Sequence, residues 1–231
     1  MANKKNVPVE AQIDQELEAA LDKTQDFFNK NGKTITWVLI AIVAVVAAIF
    51  GYQKFVKEPR AEKAASAMYM AQFRFEGENA DYELALNGDE EGAGFLDIIE
   101  QYGSTPAGNM AAQYAGICYM KLGDWDNAEK YLAKYKATKG VPNALVNAEN
   151  IGLQGDVKVQ KGDYKKAAAL FEQAAAVADN SFTTPLYLKK AAQAYEAAGD
   201  QATAQKLYKR IATEFAASFE ARDAEKQLGQ E

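Results

Sequence analysis

Three stretches of this chain share one pattern: a small residue, an aromatic, a Gly-Asp pair, an alanine and a large apolar residue. The first runs Gly116-x2-Tyr119-x3-Gly123-Asp124-Trp125-x2-Ala128-x3-Leu132. The second runs Gly155-x6-Gly162-Asp163-Tyr164-x2-Ala167-x3-Phe171-x2-Ala174, and the third Ala192-x2-Tyr195-x3-Gly199-Asp200-x3-Ala204-x3-Tyr208. Each position has a physical reason. Gly116, Gly155 and Ala192 are small where one helix must come close to the next. Gly123, Gly162 and Gly199 end the first helix in the left-handed conformation, which costs energy for any residue with a Cβ. Asp124, Asp163 and Asp200 accept the free amide hydrogens that open the second helix. Ala128, Ala167 and Ala204 then fall at its tightest crossing. Two positions depart from the pattern: Lys158 stands where the second stretch should carry an aromatic, and Gln201 where the third should.

The pattern resembles the tetratricopeptide repeat, a unit of about 34 residues that pairs two antiparallel helices. The intervals here are somewhat longer, the extra residues falling at TKGVPN (138–143) and ADNSFTTP (178–185). A fourth, degenerate unit is expected ahead of the three. In it, residues 61–77 read as a helix, 80–88 as a polar loop and 94–103 as the partner helix, with Pro106 marking the turn into the first clear repeat. Residues 218–228 read as a last helix with Glu225 and Lys226 exposed, the polar cap that a stack of repeats needs. The expected fold is all-α: an α-solenoid of about four helix pairs.

Ahead of the repeats, residues 34–53 carry no charge and centre on WVLIAIVAVVAAIF. A helix of this length spans roughly 30 Å, the thickness of a bilayer's hydrocarbon core. A cleavable leader would be shorter, and would follow a short basic region. Here the preceding 33 residues are acidic, with Glu10, Asp14, Glu16, Glu18, Asp22 and Asp26. Trp37 and Tyr52 sit near the ends of the run, where amphipathic rings favour the headgroups. Lys30 and Lys33 flank one side, and Lys54, Lys57, Arg60 and Lys63 the other, so charge alone does not orient the span. The expected organisation is a tail over 1–33, a transmembrane helix over 34–53 and a repeat domain over 54–231. Within the tail, Ile13, Leu17, Ala20, Leu21, Phe27 and Phe28 recur at helical spacing between acidic residues. This is an amphipathic helix whose acidic face disfavours anionic lipid and favours a protein partner.

Composition removes several function classes. The chain has no histidine, which excludes the usual general base, His-based nucleophile triads and His-containing metal sites. Its single cysteine, Cys118, forms no internal disulfide or cysteine cluster and reads as a small buried apolar residue. No GxGxxG, phosphate loop or GxSxG occurs. From residue 61 onward 18 Lys and Arg stand against 25 Asp and Glu, scattered rather than clustered, so there is no electrostatic footprint for nucleic acid. No cofactor, metal, nucleic acid or small-molecule substrate is expected, and no enzymatic activity.

Anchor, tail and repeats together resemble the YfgM-like tetratricopeptide repeat proteins of bacterial inner membranes. The residues that carry the resemblance are the span at 34–53, the basic, Ala-rich helix directly after it, and YGSTPAGNMAAQYAGICYMKLGDWDNA over 102–128. The resemblance implies a cytoplasmic tail, a periplasmic repeat domain, and association with the SecYEG translocon and with chaperones that receive emerging chains.

Stacked helix pairs present a concave face lined mainly by the first helix of each pair. The repeat's groove positions map to Gln113, Ile117 and Met120 in the first repeat, Asp156 and Val159 in the second, and Lys189, Gln193 and Glu196 in the third. This surface is apolar at one end and charged at the other, without a Lys/Arg cluster to clamp a peptide carboxylate. Tyr119, Tyr195, Trp125, Phe171 and Tyr208 occupy packing positions and are expected in the core. The function expected is protein binding at the inner membrane. Two other readings stay open: a scaffold for another envelope machine, for outer-membrane insertion, secretion or cell-wall work, and an enzyme of an unrecognised type.

Overall fold

The computed structural model describes residues 9–229 of the chain, with side chains described for 17–140 and 143–229. Ile13 of the tail's apolar face therefore lies outside the described side chains. The chain forms two compact units that divide between Pro59 and Arg60.

The first unit is one helix, α1 (Val9–Tyr52, 44 residues), followed by a π-helical turn over Gln53–Lys57. No proline interrupts α1, and Thr24, Asn31 and Thr36 return their side-chain donors to the carbonyls of Ala20, Phe27 and Gly32 at 2.7, 3.0 and 2.9 Å. It contains a segment long and apolar enough to cross a membrane, none of which is buried within the chain. Tail and apolar run thus form a single helix, about 66 Å long at 1.5 Å per residue.

The second unit begins within α2 (Glu58–Glu76), at Arg60, and continues with α3 (Tyr82–Asn87), a two-residue antiparallel ladder pairing β1 (Gly88–Asp89) with β2 (Gly92–Ala93), and α4 (Phe95–Tyr102). The expected polar loop over 80–88 is thus corrected. It holds a short helix capped by Asp81, whose Oδ1 accepts from the Leu84 amide at 2.9 Å, and Ala85 and Leu86 are buried beneath it. Arg74, itself 8% exposed, fastens the ladder by donating to Asp89 and to the Gly92 carbonyl. Phe75, Phe95 and Tyr114 meet in one aromatic cluster, with ring centroids 5.0 to 6.1 Å apart.

Three hairpins follow: α5 (Pro106–Lys121) with α6 (Trp125–Leu132), α7 (Val141–Gln160) with α8 (Tyr164–Val177), and α9 (Thr183–Ala197) with α10 (Gln201–Glu214). The terminal α11 (Phe219–Leu228) is capped by Ser218. Each helix packs on its neighbour in sequence, and α5, α7, α9 and α11 also touch in succession, forming one layer of a helical stack. The fold is all-α with repeated helix pairs.

The Gly-Asp pairs act as both stop and start. Gly123, Gly162 and Gly199 have φ of +78°, +75° and +81°. The next amide in each case, on Asp124, Asp163 and Asp200, donates back to Tyr119, Lys158 and Tyr195 at 2.8 to 2.9 Å, closing a Schellman turn. The same aspartates then cap the following helix, accepting from the amides of Asn127, Lys166 and Thr203. Phe171 and Tyr208 are buried as expected, whereas Tyr119, Trp125 and Tyr195 are only partly covered, because each lies at a hairpin end beside solvent. The 138–143 segment is an inter-repeat connection pinned by side-chain amides. Asn147 bonds Thr138 in both directions, and Asn109 does the same for Lys136.

Lys158, in the slot where an aromatic was expected, ties the second repeat to the first. Its Nζ lies 2.6 Å from Glu129 Oε1, and Lys161 reaches Glu129 and Asp126 at 2.8 and 2.7 Å. Hydrogen bonds from Lys158 and then Lys161 hold the Glu129 carboxyl below its ordinary range, against the upward push of burial.

Two outcomes are expected. A Cβ on Gly155 would meet Phe171 at 2.6 Å, and Phe171 is 2% exposed and has nowhere to move. Gly155→Ala should therefore cost ~1–3 kcal/mol of overpacking, only partly offset by about 1 kcal/mol of helix propensity. Thermal denaturation should show the midpoint falling by a few degrees. Glu129→Gln is tested by pH. A carboxyl with a depressed folded pKa stabilises fully above its ordinary value of 4.5, and that stabilisation is lost as pH falls through the folded value. The variant should melt below the parent near neutral pH, and the two melting curves should converge as the pH is taken progressively below 4.5. A gap that persists unchanged into acid would refute the network's role.

Candidate protein-binding groove

Because α5, α7, α9 and α11 stack in succession, one stripe of each faces the same side of the second unit. A depression of about 790 Å³ lies there among α2, α5, α6 and α7. Its lining is mostly apolar: Phe75 from α2, Met110, Ile117 and Met120 from α5, Trp125 from α6, and Leu153 from α7. Two depressions of about 190 Å³ continue it. One is bounded by α7, α8 and α9, the other by α9, α10 and α11. Asp156 and Val159 border both the first and the second, and Gln193 both the second and the third, so the three form one track.

Ile117, Met120, Asp156 and Val159 line the main depression, and Lys189 and Gln193 line the far end. Gln113 also borders the main depression but is only 3% exposed. Its Nε2 donates to Glu149 at 3.1 Å, and its Oε1 is buried without a partner among the described residues. Glu196 borders none of the three depressions. Its carboxylate accepts the Tyr208 hydroxyl at 3.0 Å, a bond between α9 and α10. Burial, and then this bond, push the Tyr208 phenol up.

The track's charges divide sharply. Between the first and second depressions Lys190 holds Asp156 at 2.8 and 2.9 Å, and at the far end Lys189 holds Asp223. The hydrogen bond from Lys189 keeps the Asp223 carboxyl low. At the near end Glu76, Glu149 and Lys121 border the main depression, and none of the three carries an ion pair among the described residues. Tyr187 sits behind this wall, and burial, followed by the charges of Glu149 and Asp156, pushes its phenol up to about 12.

Sequence reasoning missed Met110, Val146, Glu149 and Leu153. Their signal was present: 110, 113, 117 and 120, and likewise 146, 149, 153 and 156, follow the three-four spacing of one helix face. Phe75 had no such signal, since only the packing of α2 brings it to the groove. Cys118 is fully buried, with burial pushing its thiol up to about 12, and plays no part in the groove. Among the described residues no group of three His, Cys, Asp or Glu gathers as a metal site.

No protein-family model matches the chain. No curated protein matches it either. A solved structure, the crystal structure of MamA, is similar at 17% identity with a TM-score of 0.39, covering 59% of this chain and 83% of that one.

The unpartnered Gln113 oxygen makes a stability prediction. A buried polar atom without a partner costs ~1–3 kcal/mol, and replacing such a group by an apolar one of similar shape is neutral or stabilising. Gln113→Leu should leave the melting midpoint unchanged or raise it by a few degrees, although it deletes a hydrogen bond. A clear fall would mean that the amide is fully satisfied in solution.

Proposed function

We propose that this chain is a membrane-anchored scaffold that holds polypeptides in the groove along α5, α7 and α9. One observation carries the reading: the near end of the track is an open, largely apolar depression edged by Glu76, Glu149 and Lys121, charged side chains of both signs that are in no ion pair among the described residues. That is a surface for an apolar segment with charged or polar flanks. The volume is of the size that accepts several side chains of a peptide.

The finer reading rests on the resemblance to the YfgM-like proteins, supported by the uncharged run at 34–53 and by the 102–128 segment that builds α5 and the start of α6. In that reading the span lies in a bacterial inner membrane, the tail is cytoplasmic and the second unit is periplasmic. Its partners are then the SecYEG translocon, periplasmic chaperones or the emerging chains that both handle.

The test places a photo-crosslinking residue at Met120, half-buried in the main depression, in the full-length chain in membranes. Translocon or chaperone components should be recovered. Ile117→Asp or Leu153→Asp should reduce capture about tenfold or more, the loss expected when a central apolar contact worth ~1.4 kcal/mol or more is removed. Recovery of a different envelope complex in their place would overturn the finer reading. Capture that is indifferent to both substitutions would overturn the groove.

A further inference from the structure

α1 has an apolar face that a membrane span does not account for. Leu17 and Leu21 are each 59% exposed, Phe27 58% and Phe28 55%, and all four precede Lys30 and Lys33 at the start of the uncharged run. A helix that lies flat on lipid must break from a helix that crosses it. Here both belong to one uninterrupted helix, so the N-terminal part continues along the axis of the span. Its apolar face therefore requires protein.

The face has a register. Leu21, Phe28, Ile35, Ile42 and Ile49 recur every seven residues. Leu17, Thr24, Asn31, Val38, Val45 and Tyr52 form a second series, offset so that the spacing alternates three and four. That is the seam of a left-handed coiled coil, and it runs from Leu17 to Tyr52, across the end of the polar part of α1 and into the apolar run, without a slip. From residue 19 to residue 33 every charge, on Asp22, Lys23, Asp26, Lys30 and Lys33, falls on the three positions turned away from the seam. The positions beside it are held by Ala20, Gln25, Phe27 and Gly32. Within the uncharged run one flank is Thr34, Ala41 and Ala48, small residues that let two backbones approach in lipid.

We infer that α1 is the dimerisation element of this protein and that its occupant is a second copy of the same chain, parallel and in register. Copies inserted with one topology meet parallel, which brings each seam position against its own counterpart. Any other helix would have to match both a polar and an apolar stretch at once; a second copy does so by identity. Between residues 19 and 33 no charge lies on or beside the seam, so the copy brings no like-charge repulsion over that stretch, while the acidic residues of the same series, Glu10 and Asp14, and Glu18 beside it, confine the pairing to the part of α1 that follows them. Asn31 sets the register. One N–H of its amide is spent on the Phe27 carbonyl at 3.0 Å, leaving the other N–H and the oxygen for the facing Asn31.

This rests on reading residues 34–53 as a span, and the experiment separates the two. The full chain carrying Cys118→Ala and one added cysteine is reconstituted in phosphatidylcholine vesicles, floated on a density gradient and mildly oxidised. Leu21→Cys, Thr24→Cys and Phe28→Cys on the seam should give disulfide-linked dimer at several times the yield of Asp22→Cys, Asp26→Cys and Asn29→Cys on the outer face. The contrast should survive dilution with excess lipid. Chains that float but give no seam-specific product, or equal yields at all six positions, overturn the dimer while leaving the anchor standing. Chains that fail to float overturn the anchor, and the dimer with it.

Discussion

The distance between the two helices of each hairpin is the constraint from which the rest of the second unit follows. At Gly116 and Gly155 the backbones approach so closely that a Cβ would stand 2.6 Å from the side chains of Leu132 and Phe171. The large residue of the second helix thus fills the volume that the missing side chain of the first leaves open. Alanines at 128, 167 and 204, all fully buried, extend the same economy along the partner helix. Helices this close have room for only a short connection. The Gly-Asp pair supplies it, since one residue takes the left-handed conformation and the next caps the new helix. Once the hairpin is closed on that side, the opposite stripe of the first helix is free to meet the next hairpin and to line the groove.

Much of this was legible in the sequence, because the signals are local. A glycine that must be left-handed, an aspartate that must cap and a small residue at a crossing each act within a few residues of their own position. What was not legible depended on contacts between distant residues. Arg74 reads as an ordinary helical cation until Asp89 and the Gly92 carbonyl are placed against it, and only then does the loop after α2 become a fastened ladder. The six residues of α3 are too few to show a helical period, and Asp81, the one local sign of that helix, lay in a stretch dominated by polar residues. Lys158 broke the aromatic pattern for a reason held by the preceding repeat, where Glu129 waits for it.

The groove shows the same division. Its positions on α5 and α7 follow from helical spacing, and the series could have been extended backward to Met110 and Val146. Spacing alone did not reveal which side chains are already engaged. Glu196 is committed to Tyr208, and Asp156 and Lys189 are committed to Lys190 and Asp223. Only coordinates separate a polar residue that waits at a surface from one that holds two helices together.

The placement of the large apolar residues gives the groove its meaning. Alanine dominates the buried set of the second unit, and each alanine removes little apolar area from water. A unit with so small-sided a core would gain most from turning its remaining large side chains inward. Yet Met110, Ile117, Met120, Trp125 and Leu153 are left only partly covered around one depression, while Ala111, Ala112 and Ala115, their neighbours on α5, are fully packed. For stability alone this is the poorer arrangement. On the proposed reading it becomes the better one when a partner's apolar segment completes the burial, against a rim that carries Glu76, Glu149 and Lys121.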